Sequence, residues 1–130
     1  MARVPLTICT GDYDRVSALV DGRIGVEGCD VNYLTMNPEQ AFYRAWNNLE
    51  FDVTELSGSS YILARSNGWD NYIAIPVFPS RLFRHSGIYV RADAGIERPE
   101  DLEGREVGVP VYAMTAALWI RGMLQDDYGV

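Results

Sequence analysis

The chain has 130 residues, 48% of them hydrophobic, which is enough for one folded domain with a real core and too short for two ordinary ones. Its net charge of −7, from 18 acidic against 11 basic residues, argues against nucleic acid as a partner, because that partner needs a basic surface to neutralise phosphates. All the basic residues are arginine, so neither a Schiff-base lysine nor a phosphate-loop lysine is available within this sequence.

The first residues enter a short apolar run without the apolar core of about 7–15 residues that a secretory leader carries, and no run approaches a membrane span. A cytoplasmic protein with no membrane attachment is therefore expected. Cys9 and Cys29 are too few for a disulfide framework and, with a lone histidine, give no zinc spacing. Both read as buried free thiols.

Leu6 to Thr10 reads as a first strand ending at Gly11. Asp12-Tyr13-Asp14-Arg15 then opens a segment whose Val16, Leu19 and Val20 recur at helical spacing before Gly22. Asp12 or Asp14 suits a helix cap; the functional alternative has Asp12, Tyr13 and Arg15 facing a ligand from the strand's carboxyl end. Asp30 to Met36 alternates as a second strand, and Asn37-Pro38 starts a helix that runs to about Asn48. Ala41, Phe42, Ala45 and Leu49 form its core stripe, which leaves Tyr43 and Trp46 without a functional role.

Phe51 to Leu56 is a third strand-like run. Ser57-Gly58-Ser59-Ser60 follows as a turn at a helix start, where unpaired amides and hydroxyls favour an anion, although an ordinary serine cap fits equally. Gly68 ends that helix. Tyr72 to Pro76, Ile88 to Val90 and Arg105 to Pro110 read as three further short strands, with a polar connection from Ala94 to Glu103 that includes a helical turn at Pro99 to Leu102. Tyr112-Ala113-Met114-Thr115 introduces the best helix, with Ala113, Ala116, Ala117, Ile120, Leu124 and Tyr128 on its apolar face and Gly129 as its stop. Its first amides, near Met114 and Thr115, are a second candidate anion site. The sequence ends where an α/β pattern would return to another strand.

The stretch from Ile75 to Val90 concentrates rare chemistry. It holds the only histidine, His85, with Arg81 and Arg84 within four residues, the hydroxyls of Ser80 and Ser86, and the stiff Pro76 and Pro79. Two guanidiniums suit carboxylates, and an imidazole titrates near neutrality and moves a proton. The plainer alternative has His85 capping or packing and the arginines solvated.

Alternation of short strands with helices predicts an α/β fold, a mostly parallel sheet with helices on both faces and ligand groups gathered outside the strands' carboxyl ends. Four blocks then carry a resemblance: Gly-Asp-Tyr-Asp-Arg at 11–15, Phe-Asp-Val-Thr-Glu-Leu-Ser at 51–57, Ile-Pro-Val-Phe-Pro-Ser-Arg-Leu-Phe-Arg-His-Ser at 75–86, and Val-Gly-Val-Pro-Val-Tyr-Ala-Met-Thr-Ala-Ala at 107–117. Together they resemble the 4,5-dihydroxyphthalate decarboxylase family. The block at 51–57 and the Asp101-Leu102-Glu103-Gly104 turn also look like the wider superfamily of type II periplasmic binding proteins. That resemblance implies that residues 1–130 form a single α/β lobe, the N-terminal part of a longer two-lobe protein. A lobe without its partner would expose surface that favours self-association into a homo-oligomer.

The resemblance further implies conversion of 4,5-dihydroxyphthalate to 3,4-dihydroxybenzoate and carbon dioxide, with a small aromatic di-acid as partner. Direct loss of carbon dioxide would leave an aryl carbanion, so the ring carbon is best protonated first. On residue chemistry, Arg81 and Arg84 suit carboxylate binding and His85 the proton donor. Ser57, Ser59 and Ser60, with Tyr112, Met114 and Thr115, supply neutral anion donors, and Asp12, Tyr13 and Arg15 orient the phenolic hydroxyls. No cofactor is implied. Nor is a metal, since His85 with Asp12, Asp14 or Glu55 would make a site only if the fold gathered them. The rival is a non-catalytic solute-binding protein for an aromatic or other organic anion.

Overall fold

The computed structural model describes residues 2–130. The chain divides into two compact units, the described residues up to Ser57 together with Ala64–Arg81, and Gly58–Leu63 together with Leu82–Val130.

The first unit is built on a three-stranded parallel sheet. Strand β1 is Val4–Thr10, β2 is Cys29–Thr35 and β3 is Val53–Thr54, in the order β2-β1-β3. The register with β2 runs from Val4 opposite Cys29 to Thr10 opposite Thr35, while β3 sets Ile8 against Val53 and Cys9 against Thr54. Flanking bonds extend both ladders. Met36 N–H donates to the Thr10 carbonyl at 3.0 Å, Asp52 N–H to Thr7 and Glu55 N–H to Cys9, each also at 3.0 Å. Pairing on both edges buries the end of β1, so Ile8, Cys9 and Thr10 are all inaccessible.

Helix α2, Pro38–Asn48, covers this sheet as the sequence predicts. Asn37 caps it by accepting from Glu39 N–H at 2.9 Å, and Pro38 occupies the first turn. Ala41 and Ala45 are its buried residues, packed with Cys9 and Phe51; two small side chains let the helix come close to the middle strand. Leu49 does not continue the stripe. It adopts the left-handed conformation at φ 50° and closes the helix, which turns its side chain outward. Trp46, Trp69 and Tyr72 form an aromatic run with ring centroids 4.4 and 5.7 Å apart, anchored by the Tyr72 hydroxyl on the Phe51 carbonyl at 2.8 Å.

The helix expected after Asp12 is only a 3₁₀ turn, Asp14–Val16, and one helical turn α1, Ser17–Val20; no side-chain cap bond serves either. Helix α3, Gly58–Ser66, ends near Gly68, whose φ of 84° suits only glycine comfortably.

In the second unit helix α4, Thr115–Tyr128, buries Ala117 and Leu124 and ends on Gly129 at φ 71°. A 3₁₀ turn forms at Pro99–Leu102, where an Asp101 carboxylate oxygen accepts from Glu97 and Arg98 N–H at 2.9 and 3.2 Å. These donors hold the Asp101 carboxyl below the usual carboxylate range.

Three expected strands are absent. Tyr72–Pro76, Ile88–Val90 and Arg105–Pro110 carry no ladder. Strand-like composition records fit to a half-buried pleated surface, and these runs lack a neighbour: Tyr89 is 89% exposed and Val107 53%. Around Pro76, which has no amide to donate, the chain folds back and Val77 N–H reaches the Ile75 carbonyl at 2.7 Å.

Candidate functional site

The carboxyl ends of the three parallel strands gather polar groups in the first unit, as expected for such a sheet. An open pocket of about 450 Å³ lies there, lined by residues 11–13 after β1 and 35–38 at the end of β2. Glu55, just past β3, supports it from behind. One of its carboxylate oxygens accepts the Gly11 N–H at 3.2 Å and the other the Tyr13 hydroxyl at 3.0 Å. Gly11 leaves room for the Tyr13 ring, since a Cβ there would lie 2.7 Å from it. Beneath, the buried Thr10 hydroxyl donates to the Gly11 carbonyl at 2.9 Å and meets the Tyr33 hydroxyl at the same distance.

Burial pushes the Tyr13 phenol above its ordinary value, and the Glu55 carboxylate raises it further; a Ser80 hydroxyl acts in the opposite sense. Arg15 packs its guanidinium 5.4 Å from the Tyr13 ring centre and donates to the Pro79 carbonyl. Asp12 lines the pocket with an exposed side chain. Asp12, Tyr13 and Arg15 are thus brought together at this strand end.

The remaining expected residues lie elsewhere. Arg81, in the first unit, is exposed and donates from Nε to the Phe78 carbonyl at 3.2 Å. Ser57 closes the first stretch of that unit, half-buried. In the second unit Ser59 and Thr115 meet. Ser59 N–H donates to Thr115 Oγ1 at 3.1 Å, and the Ser59 hydroxyl to the Ala113 carbonyl at 2.5 Å. Ser60 is half-buried on the following turn. Met114 takes the N-cap position of α4, and the Arg121 guanidinium stacks 3.8 Å from the ring centre of Tyr112 while donating to its carbonyl at 2.9 Å.

His85 begins a short 3₁₀ turn, His85–Gly87, with the half-buried Arg84 at its N-cap. Its Nε2 lies 3.5 Å from an Asp127 carboxylate oxygen, with both side chains about half exposed. The Asp127 carboxylate is thus the acidic neighbour of a ring that stays accessible. Neither Arg81 nor Arg84 has a carboxylate ion-pair partner among the described residues. Among those residues, no group of three or more His, Cys, Asp or Glu side chains is placed to hold a metal ion, and no helix is long and apolar enough to cross a membrane.

Sequence reasoning undervalued Glu55, weighing it only as a metal ligand, and omitted 35–38. Their position at the carboxyl ends of parallel strands was the signal available.

No family model matches the chain. Two curated proteins do, both named 4,5-dihydroxyphthalate decarboxylase: one from Comamonas testosteroni, 47% identical, and one from Pseudomonas putida, 45% identical. Each match takes in all 130 residues of this chain, which span 39% of the first relative and 50% of the second. Over all 130 residues the chain is therefore similar to a part of each of these two 4,5-dihydroxyphthalate decarboxylases.

Proposed function

We propose that this chain is part of a decarboxylase acting on a dihydroxylated aromatic dicarboxylate, converting 4,5-dihydroxyphthalate to 3,4-dihydroxybenzoate and carbon dioxide. The observation that carries this reading is identity of 45–47% with two proteins named for that substrate, across every residue of the chain. The share of those relatives that the chain spans supports a further part of the proposal, that it is one lobe of a longer protein; the periplasmic-binding-protein-like type rests on the sequence resemblance alone.

The chemistry asks for a proton and for charge stabilisation. His85 gives a proton to the ring carbon that bears the departing carboxylate. The carbon–carbon bond then breaks, its electron pair restores the aromatic ring, and carbon dioxide leaves, so one proton replaces one carboxylate. Imidazole is the side chain suited to give a proton near neutrality, and His85 is half exposed beside Asp127, open to a ligand. Arg84, beside it in sequence, and Arg81 serve as carboxylate binders, which their lack of an acidic partner supports. Ser57, Ser60 and Tyr112 serve as neutral donors, Ser59, Met114 and Thr115 being engaged in bonds within the second unit, and Asp12, Tyr13 and Arg15 meet hydroxyl groups.

Carbon dioxide release from 4,5-dihydroxyphthalate by the complete protein tests this. Wild type is expected to turn the diacid over, and His85→Ala to lower kcat by on the order of 10²-fold or more. Binding of the diacid with no release would instead support a solute-binding protein.

A further inference from the structure

The stretch from Tyr72 to Arg81 closes the first unit without a helix or a ladder, and Pro76 and Pro79 have no amide to donate. Side chains hold its last residues instead. Arg15 donates from Nη1 to the Pro79 carbonyl, 64 positions away in the sequence. The Ser80 hydroxyl bonds the Tyr13 oxygen. Arg81 turns back on the same segment, its Nε donating to the Phe78 carbonyl at 3.2 Å.

Both holders are themselves tied down. Tyr13 gives its hydroxyl proton to Glu55 at 3.0 Å, and Glu55 stands directly after β3 with its N–H on the Cys9 carbonyl at 3.0 Å. Arg15 packs 5.4 Å from the Tyr13 ring centre and keeps a second terminal nitrogen 3.5 Å from Asp14. An arginine engaged by a carbonyl, a ring and a carboxylate gives up much of its rotamer freedom, and the carbonyl it holds is restrained in turn.

The consequence falls on Arg81. With Nε on Phe78, its two terminal nitrogens remain as the fork for a carboxylate. Its backbone follows directly on the two residues that Arg15 and Tyr13 hold. A guanidinium on an unfastened loop would have to be ordered by the ligand during binding, and that ordering weakens affinity.

We infer that Arg15 is a positioning residue: through the Pro79 carbonyl it sets where Arg81 stands, and so governs the grip on a ligand carboxylate without touching that carboxylate. The ligand and the role of Arg81 rest on the decarboxylase reading; the fastening rests on the contacts of Arg15, Tyr13, Ser80 and Arg81. Arg15 has further N–H groups for a hydroxyl, so this role adds to the one proposed above.

Two measurements on the complete protein test the inference. Brief trypsin digestion read by mass reports the loop, because the bond after Arg81 is cut faster the more the segment opens. Arg15→Met, which keeps the aliphatic stem and removes the donors, is expected to speed this cut by about tenfold, and Ser80→Ala by less, with the cut after Arg44 in α2 unchanged. Calorimetric titration with 4,5-dihydroxyphthalate reports the grip. Arg15→Met is expected to weaken binding by about tenfold in wild type and by about threefold or less in an Arg81→Met background, because most of its effect passes through Arg81.

Equal losses in the two backgrounds overturn the inference, since Arg15 then acts as a direct contact or a distant charge. An unchanged cut after Arg81 in both Arg15→Met and Ser80→Ala overturns it as well. A cut after Arg44 that speeds up in step assigns the effect to general unfolding and sinks it. Failure of the complete protein to bind the diacid, or an Arg81→Met variant that binds it as wild type does, sinks the decarboxylase reading of this site; a cut after Arg81 that is still faster in Arg15→Met then leaves the fastening standing.

Discussion

Thr115 Oγ1 accepts the backbone N–H of Ser59 at 3.1 Å, so the first residue of α4 completes the start of α3. The two helix starts that the sequence marks as separate anion sites serve each other in the second unit. The Ser59 hydroxyl adds a bond to the Ala113 carbonyl just ahead of α4.

Thr115→Val keeps the shape of this residue and removes the acceptor. It is expected to destabilise the protein by about 1 kcal/mol, the net worth of an ordinary intramolecular hydrogen bond, while Thr115→Ser retains most of the stability. Urea denaturation of the two variants beside wild type measures this. Equal loss in both would assign the effect to the methyl group.

Gly11→Ala places a methyl group where the Tyr13 ring already lies, at 2.7 Å. The ring is held by Glu55 and cannot swing away without losing that bond. A cost of about 1–3 kcal/mol is expected, as for other overpacked sites. In a Tyr13→Ala background the same substitution should be nearly free, so a double-mutant cycle by thermal denaturation isolates the clash.

The two thiols should behave differently toward a thiol-reactive reagent. Cys9 is fully buried in β1, and burial raises its thiol above the ordinary value, so little reactive thiolate forms. Cys29 is partly exposed at the start of β2. Native protein is expected to modify one thiol readily and the second only after denaturant is added, with peptide mapping identifying Cys29 as the first.

Acid should weaken the pairing of Arg44 with Glu50. The hydrogen bonds from the guanidinium hold the Glu50 carboxyl below its ordinary value. The sign follows from that depression: the pairing contributes fully above the unfolded value, about 4.3, and is lost as pH falls through the lower folded value. Stability measured across this acidic window should fall less steeply in Glu50→Gln than in wild type. Identical slopes would show that the pair contributes nothing.

The first half of the fold was legible because its signals agree. Asn37-Pro38 marks a cap, Ala41 and Ala45 mark a buried stripe, and β1 is an apolar run and β2 an alternating one, each bounded by turn residues. The later strands were not legible. Val107, Val109, Tyr89 and Val90 have strand composition, but composition cannot report whether a neighbouring strand is present to pair with. Leu49 misled for a related reason, since its spacing fits the helix face while its backbone has already left the helix. For the candidate site, Asp12, Tyr13 and Arg15 were singled out through the strand-end rule, and the structure places them together. Glu55 was discounted because an isolated glutamate looks like solvated charge, and only the geometry shows its two acceptor bonds.

The place of β1 between its partners has a consequence for synthesis on the ribosome. Its residues are made before those of β2 and β3, yet they occupy the middle of the sheet. Thr54 pairs with Cys9 across 45 positions of the sequence, so the nascent strand stays with one edge open until that distant segment has emerged. Rapid translation past Thr54 would shorten this interval, and a pause before it would lengthen the time in which Ile8 and Cys9 are exposed to other chains.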